Sequence, residues 1–246
     1  MEPLVGKGMW IWQIEHCCDG DLDQIAAKAG RAGLSHVLIK VADGTQRYGM
    51  PQARELSLLL KAHGVEPIGW TYSRGAMSSS EADLLSSIVA DVGFDRLVID
   101  AEQEYQGHPG YAIALMDALR EKLGKADSSQ AGQVEVGLSS YYLPNNHPSF
   151  PWGEFAQRVD FWMPQVYWYN RAPDWAVKQS LAQAKQWFTV PVVPSLAAYP
   201  EAMKSVGRFE QAVAEVKAQG LKAVNFWSWQ HCPGEVWTLI RDLQLE

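Results

Sequence analysis

Arg96-Leu97-Val98-Ile99-Asp100-Ala101-Glu102-Gln103-Glu104 is the stretch on which the reading of this chain turns. A short apolar run of strand length passes directly into three acids spaced two apart. Side chains alternate faces along a strand, so Asp100 and Glu102 point the same way, with Val98 beneath them. The run is the fourth in an alternation of short apolar segments with longer segments of helical period, the mark of a parallel α/β fold.

Before it stand Gly8–Gln13, with a helix at Asp21–Ala32; Ser35–Val41, with a helix at Pro51–His63; and Pro67–Tyr72, with a helix at Ser80–Val92. Ser78 or Ser79 is positioned to cap that third helix. After the strand Arg96–Ala101 comes a helix at Pro109–Leu123 and a small polar loop at Gly124–Gly132. Val134–Ser139 is the fifth strand, and the Pro- and Asn-rich segment Tyr141–Gln157 holds a short helix. Asp160–Tyr167 with Pro173–Trp187, Pro191–Leu196 with Val206–Gln219, and Ala223–Trp229 with Gly234–Leu243 complete the series. Gly33, Gly64, Gly93 and Gly220 close helices as left-handed caps at the barrel bottom. Eight rounds in 246 residues, without a linker, predict one α/β domain over 1–246, a single (β/α)₈ TIM barrel.

The net charge of −7 disfavours nucleic acid and an anionic membrane surface as partners. No apolar run reaches the roughly 18 residues that span a bilayer. Cys17, Cys18 and Cys232 form neither a disulfide framework nor a zinc spacing, and free thiols fit a reducing compartment. Met1–Lys7 holds no apolar signal region. The expectation is cytoplasmic synthesis of a monomer, with phage-type release or export without a cleaved signal as its route to a polymer. No cofactor and no metal are called for: His16 and His231, with Glu15 and Cys232, are read as rim residues rather than ligands. There is no G-x-G-x-x-G after strand one, no phosphate loop and no G-x-S-x-G.

Barrel sites lie at the C-terminal ends of the strands. Those ends carry Trp10 and Trp12, Lys40, Trp70 and Tyr72, Asp100, Glu102 and Glu104, Tyr141, Gln165 and Tyr167, and Trp227 and Trp229. Rings beside carboxylates and amides make a lining suited to sugars, and the 11 tryptophans are expected to divide between core and rim. Two carboxylates this close disfavour each other's charge, so one retains a proton near neutrality. Glu102, further out and longer, is assigned as general acid and Asp100 as the group that tunes it. Glu104 is placed in the loop, where it binds sugar hydroxyls or faces solvent. Asp43 and Glu15 are further loop candidates, and Lys40 is a possible structural counter-ion.

At these residues the chain resembles the barrel glycosidases of amino-sugar polymers, the family 25 lysozymes (muramidases) and family 18 chitinases. Leu97–Glu102 is similar to their strand-four acidic motif, and Trp10–Gln13 to the opening strand of family 25. Met163–Tyr167 resembles the strand-six region where a tyrosine helps hold the substrate's N-acetyl group. Val224–Trp229 resembles the strand-eight segment whose tryptophan floors the sugar site. The full chitinase D-x-x-D-x-D-x-E is not present. The resemblance implies Glu102 as acid, Asp100 as partner, Tyr167 and Trp227 as substrate contacts, and a substrate N-acetyl oxygen as nucleophile. It implies a polysaccharide or oligosaccharide substrate of peptidoglycan or chitin type. A non-catalytic sugar-binding barrel and a barrel enzyme of other chemistry are the alternatives.

Overall fold

The computed structural model describes residues 3–124 and 134–245; the expected loop beyond Gly124 lies outside the described residues. Eight parallel strands form the barrel: β1 Gly6–Ile11, β2 His36–Asp43, β3 Glu66–Ser73, β4 Arg96–Ala101, β5 Glu135–Tyr141, β6 Phe161–Val166, β7 Ser195–Ala197 and β8 Ala223–Trp227. Each pairs with the next, and β8 pairs back on β1 from Gly6↔Ala223 to Met9↔Phe226, which closes the ring. A two-residue strand, Gln46–Arg47, folds back antiparallel on the end of β2. The surrounding helices are α1 Leu22–Arg31, α2 Gln52–Ala62, α3 Ser78–Val92, α4 Pro109–Leu123, α5 Trp152–Ala156, α6 Pro173–Ala184, α7 Pro200–Met203, α8 Val206–Ala218 and α9 Gly234–Asp242.

The period-two alternation of the strands sorts their side chains into two cores. Leu97 and Ile99 of β4 join the large outer core, beneath the helices, with Leu85, Met116 and Phe155. Val98 joins Trp10, Leu38, Ile68, Phe161 and Met163 inside the barrel. Packing that interior takes small residues beside large ones. Gly8 leaves room for the buried His36 ring, whose Nε2 lies 2.6 Å from Asn225 Oδ1. Burial holds His36 down to about 4, so the ring is neutral at pH 7. Gly137 likewise leaves room for the Phe161 ring. Near the N-terminal ends of the strands, Arg96 donates to Glu66 at 2.7 Å and to Glu135 at 2.6 Å, tying β3, β4 and β5 together.

Three expectations are corrected. Strand seven was expected from Pro191, but β7 begins at Ser195, preceded only by a bridge from Val192 to Trp162. Pro191 and Pro194 have no N–H to give a ladder. Strand eight was expected to reach Trp229, but β8 ends at Trp227 and a 3₁₀ turn, Trp229–His231, takes over. The first residue of α3 is Ser78, and its hydroxyl does not cap the helix: Ser78 Oγ donates to Gly75 O at 2.5 Å. The four predicted glycine turns do adopt positive φ, between 63° at Gly33 and 75° at Gly93.

Gly8→Ala is expected to destabilise the protein by about 1–3 kcal/mol, because a methyl there falls on the His36 ring and the Asn225 amide. Gly207→Ala, in the first turn of α8 with nothing within 4 Å of its new methyl, is expected to be neutral or stabilising. Urea midpoints of the two variants check the contrast.

Candidate functional site

The mouth of the barrel is built on three tryptophans. Trp10 of β1, Trp70 of β3 and Trp227 of β8 meet edge to face, with centroids 5.3, 5.6 and 5.7 Å apart. Two of the indole N–H groups are satisfied inside the barrel. Trp10 Nε1 donates to Ser195 Oγ at 3.0 Å and Trp70 Nε1 to Ile11 O at 2.9 Å. The rings are thereby fixed. Trp10 is buried below the surface of this floor, whereas Trp70 and Trp227 reach the cavity above it.

On this floor stand Asp100, the fifth residue of β4, and Glu102, the first residue beyond it. Their shared parity brings both carboxyls to one amide: Gln165 Nε2 lies 2.8 Å from Asp100 Oδ1 and 2.9 Å from Glu102 Oε1. Gln165 belongs to β6, two strands away, and Ser139 Oγ of the intervening β5 lies 3.3 Å from the same nitrogen. Burial, then the neighbouring Glu102, pushes the Asp100 carboxyl well above the usual carboxylate range. Hydrogen bonds from Ser139 and Gln165 and the charge of Lys40 oppose that shift without overcoming it. Burial raises Glu102 as well, with Glu104 adding to it and Gln165 opposing. The pair therefore retains a proton above the usual carboxylate range.

Beyond the pair, the chain turns through a 3₁₀ segment, Gln103–Tyr105. Buried Tyr105 anchors that turn: its hydroxyl lies 2.5 Å from Ser73 Oγ, which donates to the buried Glu81 carboxylate at 2.6 Å. Gly75, at φ +75°, accepts the close approach of the Tyr105 and Tyr111 rings. The result points Glu104 into the cavity, where Tyr72 Oη donates to it at 2.8 Å. Lys40 lies over the Trp70 ring at 5.3 Å and pairs with Asp43 at 2.9 Å, so the carboxyl pair is not its ion partner. Arg74 binds the same Asp43 at 2.8 Å and stands 3.8 Å from Glu104.

These groups line a cavity of about 390 Å³, with Trp12 exposed on its rim. A second cavity, of about 200 Å³, lies on the β5–β6 side and shares Gln165 with the pair. Tyr141 and Tyr167 line it, together with residues that the sequence reading did not single out as a group: Tyr142, His147 and Arg171. Tyr141 stacks on His147 at 3.6 Å between centroids. Burial and the Asp100 charge push the Tyr167 hydroxyl up, so it remains a donor. The signal that could have found this lobe is the run Tyr141-Tyr142 at the end of β5 and the run Tyr167-Trp168-Tyr169 after β6.

Two candidates lie elsewhere. Trp229 is buried against Trp237 at 4.7 Å, with Lys28 over its ring at 5.4 Å, because the turn after Trp227 ends the strand's alternation. Glu15 lines a separate small cavity, away from the pair. Among the described residues, no group of three or more His, Cys, Asp or Glu is arranged to hold a metal ion, and no helix is long and apolar enough to cross a membrane.

No family model matches the sequence, and no curated protein does. The fold, by contrast, has clear counterparts among solved structures. A chitinase from Chromobacterium violaceum superposes with a TM-score of 0.71 at 11% identity, over 97% of this chain and 98% of that one. A family 18 chitinase from Pseudoalteromonas aurantia gives 0.70 at 14% identity, over 96% and 99%. The Bacillus cereus spore cortex-lytic enzyme SleL gives 0.70 at 11% identity, over 98% and 75%. The chain thus shares the (β/α)₈ TIM-barrel fold of these structures.

The raised carboxyls make a stability prediction with a definite sign. The folded state holds a proton that the unfolded chain releases near the ordinary carboxylate value, so the pair's contribution to stability falls as pH rises from about 4 through its raised range. Asp100→Asn keeps the shape and removes one charge. Relative to wild type, it is expected to gain on the order of 1 kcal/mol between about pH 5 and about pH 8, read from denaturation midpoints at the two values.

Proposed function

We propose that this protein is a glycoside hydrolase of an N-acetyl amino-sugar polymer, with Glu102 as general acid and Asp100 as its partner. The observation that carries the reading is the shared contact of the two carboxyls with Gln165 Nε2, above a tryptophan floor and between two cavities. Retaining and inverting glycosidases need one protonated and one ionised carboxyl at the scissile bond, and substrate-assisted enzymes need an acid and a group that holds the N-acetyl arm. Burial raises Glu102, and it is the less buried member of the pair, which suits it to deliver the proton that the pair holds.

In this proposal a pyranose ring rests on Trp227 and Trp70, with the scissile bond beside Glu102. Glu102 transfers its proton to the glycosidic oxygen as the bond from that oxygen to C1 breaks, and the bonding pair leaves with the oxygen. The substrate's own N-acetyl oxygen closes on C1, while Asp100 accepts the amide N–H and Tyr167 donates to the acetyl oxygen region. Ionised Glu102 then takes a proton from water as that water adds to C1 and the bond from C1 to the acetyl oxygen breaks, its pair returning to the acetyl group, which restores the N-acetyl arm and the protonated acid. The closely superposing structures are named as chitinases and a spore cortex-lytic enzyme, which supports polymers of amino sugars as the substrate class.

Glu102→Gln is expected to lower kcat on chitin or peptidoglycan oligomers by about 10²–10⁴-fold with the fold intact, since glutamine keeps the shape but has no proton to give. New reducing ends measure it. Retained binding with no cleavage by either protein would instead make the barrel a sugar-binding module. Wild-type kcat is expected to fall as pH rises past the raised value of Glu102, the acid having to be protonated, and a pH–rate profile reads that limb.

A further inference from the structure

The two cavities flanking the carboxyl pair differ in how their cations are used. In the larger one, both cations are already engaged: Lys40 with Asp43 at 2.9 Å, and Arg74 with Asp43 at 2.8 Å and Glu104 at 3.8 Å. A neutral sugar meets a closed ion network there. The smaller cavity holds one cation, Arg171, and no carboxylate. Among the described residues, no carboxylate lies within ion-pair distance of its guanidinium.

Arg171 is exposed, its side chain rests against one aromatic ring and its backbone is tethered. Its guanidinium carbon lies 5.0 Å from the centre of the Trp175 ring, in the first turn of α6. Its carbonyl accepts from Arg208 Nη2, which also donates to Tyr169 O at 3.3 Å. An aromatic platform and a tethered loop thus present a cation with its donors unspent. Around it, Tyr141, Tyr142 and Asn146 offer hydroxyl and amide groups and apolar ring faces. A guanidinium binds a carboxylate through two parallel N–H bonds, and it is favoured at that task when its plane is fixed.

We propose that the smaller cavity is a subsite for a sugar carrying a carboxylate, which Arg171 pairs with on the side of the scissile bond away from the Trp12 rim. This rests on the reading of the protein as an amino-sugar hydrolase and narrows it to anionic polymers. The carboxylate has two chemical sources, an acidic ether substituent on the sugar ring itself or an acidic peptide attached to that substituent. A neutral N-acetylglucosamine oligomer has neither.

Three ligands separate these cases: a neutral N-acetylglucosamine oligomer, a peptide-free glycan whose alternate sugars carry a lactyl carboxylate, and the same glycan bearing stem peptides. Binding to Glu102→Gln is followed by calorimetry, and cleavage by wild type through new reducing ends. Arg171→Gln, placed in each background, is expected to weaken binding of the carboxylate-bearing glycan, and to raise its KM, by about ten-fold or more, with the neutral oligomer unchanged. Arg171→Lys is expected to restore part of the loss, because charge returns without the fork. A loss confined to the peptide-bearing glycan assigns the contact to the peptide; a loss confined to the peptide-free glycan assigns it to the ring substituent, whose carboxylate the peptide's amide bond consumes; a loss on both shows that Arg171 takes a carboxylate from either source. An equal effect on all three ligands, or no effect on any, overturns the subsite while leaving the hydrolase reading standing. Selective loss of binding with no cleavage by wild type upholds the subsite and overturns the hydrolase. Binding of none of the three overturns both.

Discussion

Two carboxyl groups held against one amide nitrogen set the terms for the rest of this molecule. Asp100 and Glu102 lie within 2.9 Å of Gln165 Nε2, in a site covered from below by indole rings. Taking even one carboxylate out of water is costly, and a second charge beside it adds repulsion. The chain meets that demand by keeping a proton on the pair and by supplying donors from two other strands, Ser139 on β5 and Gln165 on β6. Those donors are rigid because their strands are part of a closed ring, in which no edge is free to slide.

The frame beneath the pair is organised for the same end. The T-shaped tryptophan trio caps an interior that holds Leu38, Ile68, Val98, Phe161 and Met163. A dry interior below the carboxyls keeps the local dielectric low, which strengthens both the repulsion within the pair and the hydrogen bonds that stabilise it. Further down, polar side chains inside the barrel are matched with partners: His36 with Asn225, and Arg96 with Glu66 and Glu135. The barrel is apolar where it supports the mouth and ionic where it opens to solvent at its other end.

The mouth is asymmetric in charge. On the β2–β4 side, acids and cations form a continuous network from Lys40 through Asp43 and Arg74 to Glu104 and Tyr72. On the β5–β6 side, tyrosines and an arginine with no carboxylate partner among the described residues face a smaller space. The carboxyl pair sits between them, and Gln165 lines the second space while holding the pair.

Much of this was legible in the sequence. Period two placed Val98 in the interior and Asp100 with Glu102 above it, because strand geometry alone dictates side-chain facing. The glycines after helices announced the turns, because few other residues tolerate positive φ there. Helix and strand order, read from periodicity, determined a closed barrel and the end at which its polar residues gather. Other features depended on distant partners. Local pattern placed Trp229 on a strand, but the turn after Trp227 carries it to Trp237 on α9. Pro191 and Pro194 shortened β7 through missing ladder donors. The choice of Gln165 as the bridge, the capture of Asp43 by Arg74 and the setting of the Arg171 guanidinium were decided only by the tertiary structure. Each depends on which side chains from non-adjacent segments come within hydrogen-bond reach, and a one-dimensional pattern carries facing and period but not those distances.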